Sequence, residues 1–278
     1  MSETTSVQTS VGRLTVTTQG SGSPALLWHS LFVDERSWER AAAQLVRDRR
    51  LILVTGPGHG SSGDPGHRYD LRQCARAAGE VLDALGVTEP VDWVGNAWGG
   101  HVGLRFAADH PRRVRSLVTV GTPVQALDAS GRAQTRVLLL AHRVLGPAGF
   151  IADTVIETLL SPQTRASDPE AVALVRRSFV EADPRLLRNA VVSISLHRED
   201  LSDLLPRITV PSLMITGRQH GGWSPDQAVA AAAAMPAARA ATVEDAAYLV
   251  PLEQPDAVVG LVRDFWASIQ VEAPEAQR

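Results

Sequence analysis

The residues able to do chemistry are few. The most ordered setting is Val91-Asp92-Trp93-Val94-Gly95-Asn96-Ala97-Trp98-Gly99-Gly100, a buried strand running into G-x-A-x-G-G and then a helix. Ala97, at the centre of that motif, carries no nucleophilic atom. Imidazoles, which titrate near neutrality, stand at His29, His59, His67, His101, His110, His142, His197 and His220. None of them shows the His-x-x-His or His-x-x-x-His spacing of a metal site. A site drawn from His220, His29 and Asp34 has no spacing to support it, so no metal is expected. Tyr248 is one of two tyrosines. Its phenol, with an ordinary pKa near 10, is a poor base at neutral pH but a reasonable hydrogen-bond donor. Cys74 is the single cysteine, which excludes a disulfide framework and a Cys-based zinc site.

These residues hang on alternating strands and helices. Strands are expected at Leu14–Thr18, Ala25–Trp28, Leu51–Val54, Val91–Val94 and Val114–Val120, with helices at Trp38–Val46, Leu71–Leu85 and Trp98–His110. Such alternation implies βαβ units and a mostly parallel sheet. From about Val124 to Leu205 only helical patterns occur, broken at Gly146-Pro147, Pro162, Pro169 and Pro184, as in an inserted cap. The alternation resumes with Val210–Thr216, Asp226–Met235, Ala240–Val243 and Val258–Ile269, and the tail after Val271 is expected to fray. The division is thus a core of residues 1–123 and 206–278 and a cap of residues 124–205.

The 278 residues carry a net charge of −3, which offers no basic field to nucleic acid or anionic lipid. No apolar run approaches a membrane span. The first residues, MSETTSVQTS, lack the features of a signal peptide, so a cytoplasmic protein is expected. There is no lysine; all 27 Lys and Arg residues are arginine, a bias that suggests a GC-rich, bacterial genome. The pairs Arg49-Arg50, Arg112-Arg113 and Arg176-Arg177 read as solvated surface.

The motif around Ala97 resembles the nucleophile elbow, G-x-S-x-G, of the α/β-hydrolase superfamily. His29-Ser30-Leu31 is similar to that family's His-Gly-x turn, and Gly58-His59-Gly60 with Ser62 and Asp64 to its G-H-G-x-S-D loop. Leu213–Gly217 with Pro225 resembles the strand and loop that bear the acid, and Pro251-Leu252-Glu253 the segment just after the catalytic histidine. The resemblance runs from about Leu14 to Ile269. It implies an α/β fold with a mostly parallel central sheet, flanking helices and a helical cap.

At the triad positions the sequence departs from the family. The nucleophile position holds Ala97, the acid position His220 and the histidine position Tyr248. The Gly221-Gly222 pair leaves the register at His220 open. Ser30 stands where glycine is usual. The resemblance further implies an oxyanion hole from the backbone N–H groups of Leu31 and Trp98, which survives whatever the side chains. His29, Ser30, Asn96, Ala97 and Trp223 are expected to line the elbow and pocket. His29 reads equally as pocket or structure, His59 and His101 as packed, and His110 as surface. Tryptophans facing the cleft would imply a flat, apolar ligand.

The reading that follows is a non-hydrolytic catalyst of cyclisation, isomerisation, elimination or C–C bond chemistry. It would act on a carbonyl-bearing, largely apolar small molecule, with His220 and Tyr248 moving protons. It needs no cofactor, nucleic acid or membrane, and a homodimer is compatible with it. The alternatives are a non-catalytic binder or receptor, and a hydrolase with a displaced nucleophile or a His-activated water.

Overall fold

The computed structural model describes residues 2–147 and 149–271. Eight strands form one sheet: β1 (Ser2–Thr9), β2 (Gly12–Gln19), β3 (Pro24–Trp28), β4 (Arg50–Thr55), β5 (Val91–Asn96), β6 (Val114–Val120), β7 (Ser212–Gly217) and β8 (Ala238–Val243). Their spatial order is β1-β2-β4-β3-β5-β6-β7-β8. The β1–β2 and β2–β4 pairs are antiparallel and all the others parallel.

The central strands are buried on both faces, which is why they read as unbroken apolar runs. Alternate residues serve opposite layers. Leu27, Leu51, Val94 and Val118 pack with helices α1 (Glu39–Leu45) and α11 (Pro255–Val271). Leu26, Ile52, Trp93 and Leu117 pack with α2 (Leu71–Ala84), α3 (Trp98–Asp109) and α9 (Pro225–Ala233). An α/β-hydrolase fold results, as the motifs led one to expect.

Between β6 and β7 the described residues form helices and no strand: α4 (Ala129–Leu145), α5 (Phe150–Leu159), α6 (Pro162–Ser167), α7 (Pro169–Glu181), α8 (Pro184–Val191) and a π-helical turn, Val192–Leu196. Ser161, Asp168 and Asp183 cap α6, α7 and α8, each followed by proline at the first helical position. These helices share an apolar cluster with Val33 and Leu249, on loops, and with Leu252, on the short helix after β8. Glu253, in the short helix α10 (Val250–Glu253), locks that contact. Its carboxylate accepts hydrogen bonds from the Ser161 N–H at 2.7 Å, the Thr164 hydroxyl at 2.9 Å and the Ala247 N–H at 2.8 Å.

Three expectations change. The first strand is not Leu14–Thr18 alone: β1 precedes it as an edge strand, mostly exposed and polar, and so lacking the apolar run that marks the others. Trp38 closes a 3₁₀ turn, Glu35–Trp38, rather than opening a helix. Arg49 is not solvated surface. Its guanidinium stacks 4.4 Å over Trp266, and its Nε donates at 2.7 Å to Asp92, a fully buried carboxylate. Arg115 and the Ser116 hydroxyl satisfy the rest of Asp92. The tail after Val271 lies outside the described residues.

Candidate active site

The turn from β5 to α3 puts Ala97 at φ 46° and ψ −100°. Only three described non-glycine residues have positive φ, and Ala97 is one. That region is strained for an L-residue, and its surroundings enforce it. A Cβ on Gly95 would stand 2.2 Å from the Gly99 backbone, one on Gly99 2.0 Å from the Trp28 carbonyl oxygen, and one on Gly100 2.0 Å from the Thr122 hydroxyl. The Ala97 N–H donates to the Val120 carbonyl at 2.7 Å, and its own carbonyl accepts from His101 N–H at 2.9 Å. This is an elbow backbone with a methyl group at its tip.

Trp98 is the first residue of α3, so its N–H has no intrahelical partner. The Leu31 N–H likewise donates to nothing among the described residues. Two histidines hold the Leu31 turn. His29 Nε2 accepts from the Gly56 N–H at 2.8 Å, so its Nδ1–H donates to the Ser30 carbonyl at 2.6 Å. His59 Nε2 accepts from the Phe32 N–H at 3.3 Å, leaving its Nδ1–H for the Pro57 carbonyl at 3.1 Å. Burial lowers the pKa of both, that of His59 to about 3. Both are neutral ties. Ser30, in the place of a glycine, is absent from the positive-φ residues, so it carries no such strain.

His220 and Tyr248 come together ring to ring, with centroids 4.7 Å apart and 33° between planes. No hydrogen bond joins imidazole to phenol. The Gly222 N–H donates to His220 Nδ1 at 3.1 Å, which puts the ring proton on Nε2, and Nε2 is buried without a partner. Burial lowers the His220 pKa to about 4 and raises that of Tyr248. The expectation that this pair shares a proton, with His220 as base, is therefore corrected. The imidazole lone pair is occupied by backbone, and the group is too weakly basic. What remains is a neutral N–H donor beside a phenol. The Ser30 hydroxyl is the polar neighbour of that phenol, and its Oγ is buried without a bond of ordinary geometry.

The other expected residues have other work. Asn96 Nδ2 donates to the Val120 carbonyl at 2.9 Å and the Tyr248 carbonyl at 3.2 Å, tying the elbow to the loop after β8. Trp98 turns its indole into the core, against Trp28 at 5.6 Å and His59 at 5.3 Å. Trp223 is buried in the same cluster, and its carbonyl accepts from Thr216 at 2.9 Å, so it packs the core rather than lining the pocket. The structure thus gives no pair of tryptophans facing the cleft. Glu253, read in the sequence only as part of a motif, bonds across to the helices between β6 and β7, and Arg198, which follows the π-helical turn, went unnoticed in the sequence. Among the described residues no group of three or more His, Cys, Asp or Glu could hold a metal.

The sequence pattern that defines the alpha/beta hydrolase fold family matches residues 26–253. The chain belongs to that family. Over 217 residues it is 31% identical to a 2-hydroxy-6-oxononadienedioate/2-hydroxy-6-oxononatrienedioate hydrolase of Paraburkholderia phymatum, covering 72% of this chain and 68% of that one. Among solved structures, a thermophilic esterase from Thermogutta terrifontis superposes with a TM-score of 0.88 at 25% identity, covering 96% of this chain and 99% of the other. The enol-lactonase of Burkholderia xenovorans LB400 superposes at 0.86 and 24% identity, covering 95% of this chain and all of the other, a likeness of fold. No helix among the described residues is long and apolar enough to cross a membrane.

Proposed function

We propose that this chain is a non-hydrolytic member of its family. It takes a carbonyl-bearing, largely apolar small molecule between cap and core and polarises that carbonyl without bonding to it covalently. The observation that carries this is Ala97, a methyl group on an otherwise intact elbow. Acyl transfer in this fold needs a side-chain nucleophile and an adjacent base. Here the tip has no reactive atom, and the His220 imidazole has its lone pair committed to Gly222.

In this reading the groups offered to the carbonyl are donors: the N–H groups of Leu31 and Trp98, His220 Nε2–H and the Tyr248 hydroxyl. Such a set stabilises negative charge developing on oxygen, and a single positioned donor contributes about 3–4 kcal/mol in acyl-transfer enzymes. Reactions that pass through an enolate or alkoxide gain from it without a nucleophile. Relatives named for hydrolysis, such as the 2-hydroxy-6-oxononadienedioate/2-hydroxy-6-oxononatrienedioate hydrolase of P. phymatum, fit a reading in which the fold is shared and the reaction differs.

A second reading, a binder without turnover, draws on the weak basicity of His220, which makes that group a poor proton acceptor at neutral pH. Two measurements test the proposal. Incubation with a fluorophosphonate, followed by intact-mass analysis, is expected to give no adduct within Gly95–Gly100, and a stoichiometric adduct there overturns the reading. For any carbonyl compound that stabilises the protein, mass analysis of the mixture separates the two readings: a rearranged product supports catalysis, an unchanged ligand supports the binder.

A further inference from the structure

We propose that the outer face of α4, with the start of α5, is a docking surface for an anionic phospholipid bilayer. The surface is separate from the candidate active site and does not depend on what that site does.

Among the described residues seven large apolar side chains are exposed, and five of them stand in one stretch of chain: Val137, Leu140, Val144, Leu145 and Phe150, each between 63% and 74% exposed. Val137, Leu140 and Val144 are spaced by three and four residues, so they lie on one face of α4. Leu145 ends that helix and Phe150 opens α5, which packs on α4. The opposite face of α4 is already used: Leu138, Leu139 and Ala141 pack against the apolar cluster of the cap helices. An exposed apolar patch of this kind marks a place where another surface sits.

The charge of this face is positive. Between residues 129 and 152 the chain carries Arg132, Arg136 and Arg143 and no acid. Arg136 and Arg143 are exposed, and each directly precedes an exposed valine, Val137 and Val144. The acids at the margins are engaged. Asp128 caps α4 by accepting the Gly131 N–H at 2.7 Å, and Asp153 pairs with Arg176 at 2.6 Å. Neither Arg136 nor Arg143 forms an ion pair among the described residues. Beside the ridge a groove of about 340 Å³ runs between α4 and α8, lined by Leu140, Arg143, Arg188 and Asn189. It sets two guanidinium groups beside an apolar side chain. The expectation that the chain offers no basic field to anionic lipid holds for its net charge of −3 and not for this face.

These features select the occupant. A second copy docked about a two-fold axis sets the patch against itself. Arg136 and Arg143 would then meet arginines, with no acid to answer them. An anionic bilayer answers both parts of the surface. The apolar side chains enter the acyl region, while the long guanidinium side chains beside them stay at the level of the phosphates. Val137, Val144, Leu145 and Phe150 stand outside the groove, which suits a fluid surface that closes around protruding side chains. No helix among the described residues is long and apolar enough to span a membrane, so the chain lies on the bilayer and does not cross it. Leu138 and Leu139, on the inner face of α4, line a pocket with Phe32, the residue after Leu31. The helix, about 10 Å across, thus stands between the bilayer and the Leu31 turn.

Sedimentation of the whole chain with vesicles tests this. Vesicles of phosphatidylcholine alone and with about 30% phosphatidylglycerol are compared at low and high salt. Binding to the anionic vesicles is expected at low salt, about tenfold weaker to the neutral ones and weaker at high salt. The pair Arg136→Gln, Arg143→Gln should bring anionic binding down to the neutral level. The pair Leu140→Ser, Phe150→Ser should lower it about as far with both arginines in place. All four positions are exposed, so each pair should melt within about 2 °C of the parent. Phe150→Trp reads insertion directly. Lipids brominated on their acyl chains should quench its emission more than that of the parent, whose six tryptophans are all buried. Failure of the parent to bind anionic vesicles overturns the inference, as does binding that neither pair of changes weakens. Equal binding to neutral and anionic vesicles overturns the part given to the arginines. A dimer in solution that Leu140→Ser, Phe150→Ser breaks, with no binding to vesicles, makes a second copy the occupant and overturns the bilayer.

Discussion

The His220 imidazole lies against the Tyr248 phenol ring at 4.7 Å between centroids, a contact of faces and not of polar atoms. The pair is a packing unit with one N–H and one O–H at its rim. Removing the hydroxyl in Tyr248→Phe keeps the contact, and stability measured by urea unfolding is expected to change by less than about 1 kcal/mol. Tyr248→Ala removes the ring and should cost about 3 kcal/mol. Equal losses in the two variants would mean that the hydroxyl, not the ring, holds this loop.

Burial of imidazoles makes the protein acid-sensitive. The folded state keeps His220 neutral down to about pH 4 and His59 to about pH 3, whereas the unfolded chain protonates them near 6.5. Between those limits the unfolded state binds more protons, so stability falls as pH falls. It is fully present above about 6.5 and lost progressively below. His220 alone contributes up to about 3 kcal/mol across that window. Urea midpoints measured from pH 7.5 to 4 should drop for the parent and drop less steeply for His220→Asn. A flat parent curve would mean that these rings are charged in the folded state.

Placing a serine at the elbow does not by itself build a triad. Ala97→Ser is expected to stay near the background rate on p-nitrophenyl acetate, because the His220 lone pair is engaged by Gly222 N–H. The triple change Ala97→Ser, His220→Asp, Tyr248→His should hydrolyse the ester measurably faster. If the single variant equals the triple one, another base already reaches the elbow.

The elbow glycines are required by contact. Gly99→Ala places a Cβ 2.0 Å from the Trp28 carbonyl oxygen, an atom of the sheet backbone that cannot move aside. A loss of about 3 kcal/mol or failure to fold is expected. Gly260→Ala, in α11, meets nothing within 4 Å. There the higher helix propensity of alanine should add about 1 kcal/mol. Chemical denaturation of both variants reads the contrast directly.

The strands and the elbow were legible because apolar runs and fixed glycine spacings are local signals. Val114–Val120 was read to the residue for this reason. β1 was not, since its residues are mostly polar and exposed and gain their order by pairing with β2 along its full length. The charged contacts were invisible for a related reason. Asp92 meets Arg49 across 43 positions and Arg115 across 23, and no pattern in the sequence joins them. His220 and Tyr248 could be picked out through the family resemblance, by their offsets from Gly217 and Glu253. Their stacking, and the hydrogen bond that fixes the imidazole tautomer, depend on a loop whose Gly221-Gly222 gives no directional cue.

The strain at Ala97 does not depend on the side chain at that position. Three glycines, a carbonyl of β3 and a hydroxyl after β6 dictate the turn, and none of them takes part in bond making. Shape and reactivity are therefore set by different residues in this chain. One can be lost by a change of a single side chain while the other is held by the core. The same separation makes the protein a host: a cysteine or an unnatural nucleophile placed at position 97 would find its backbone already bent.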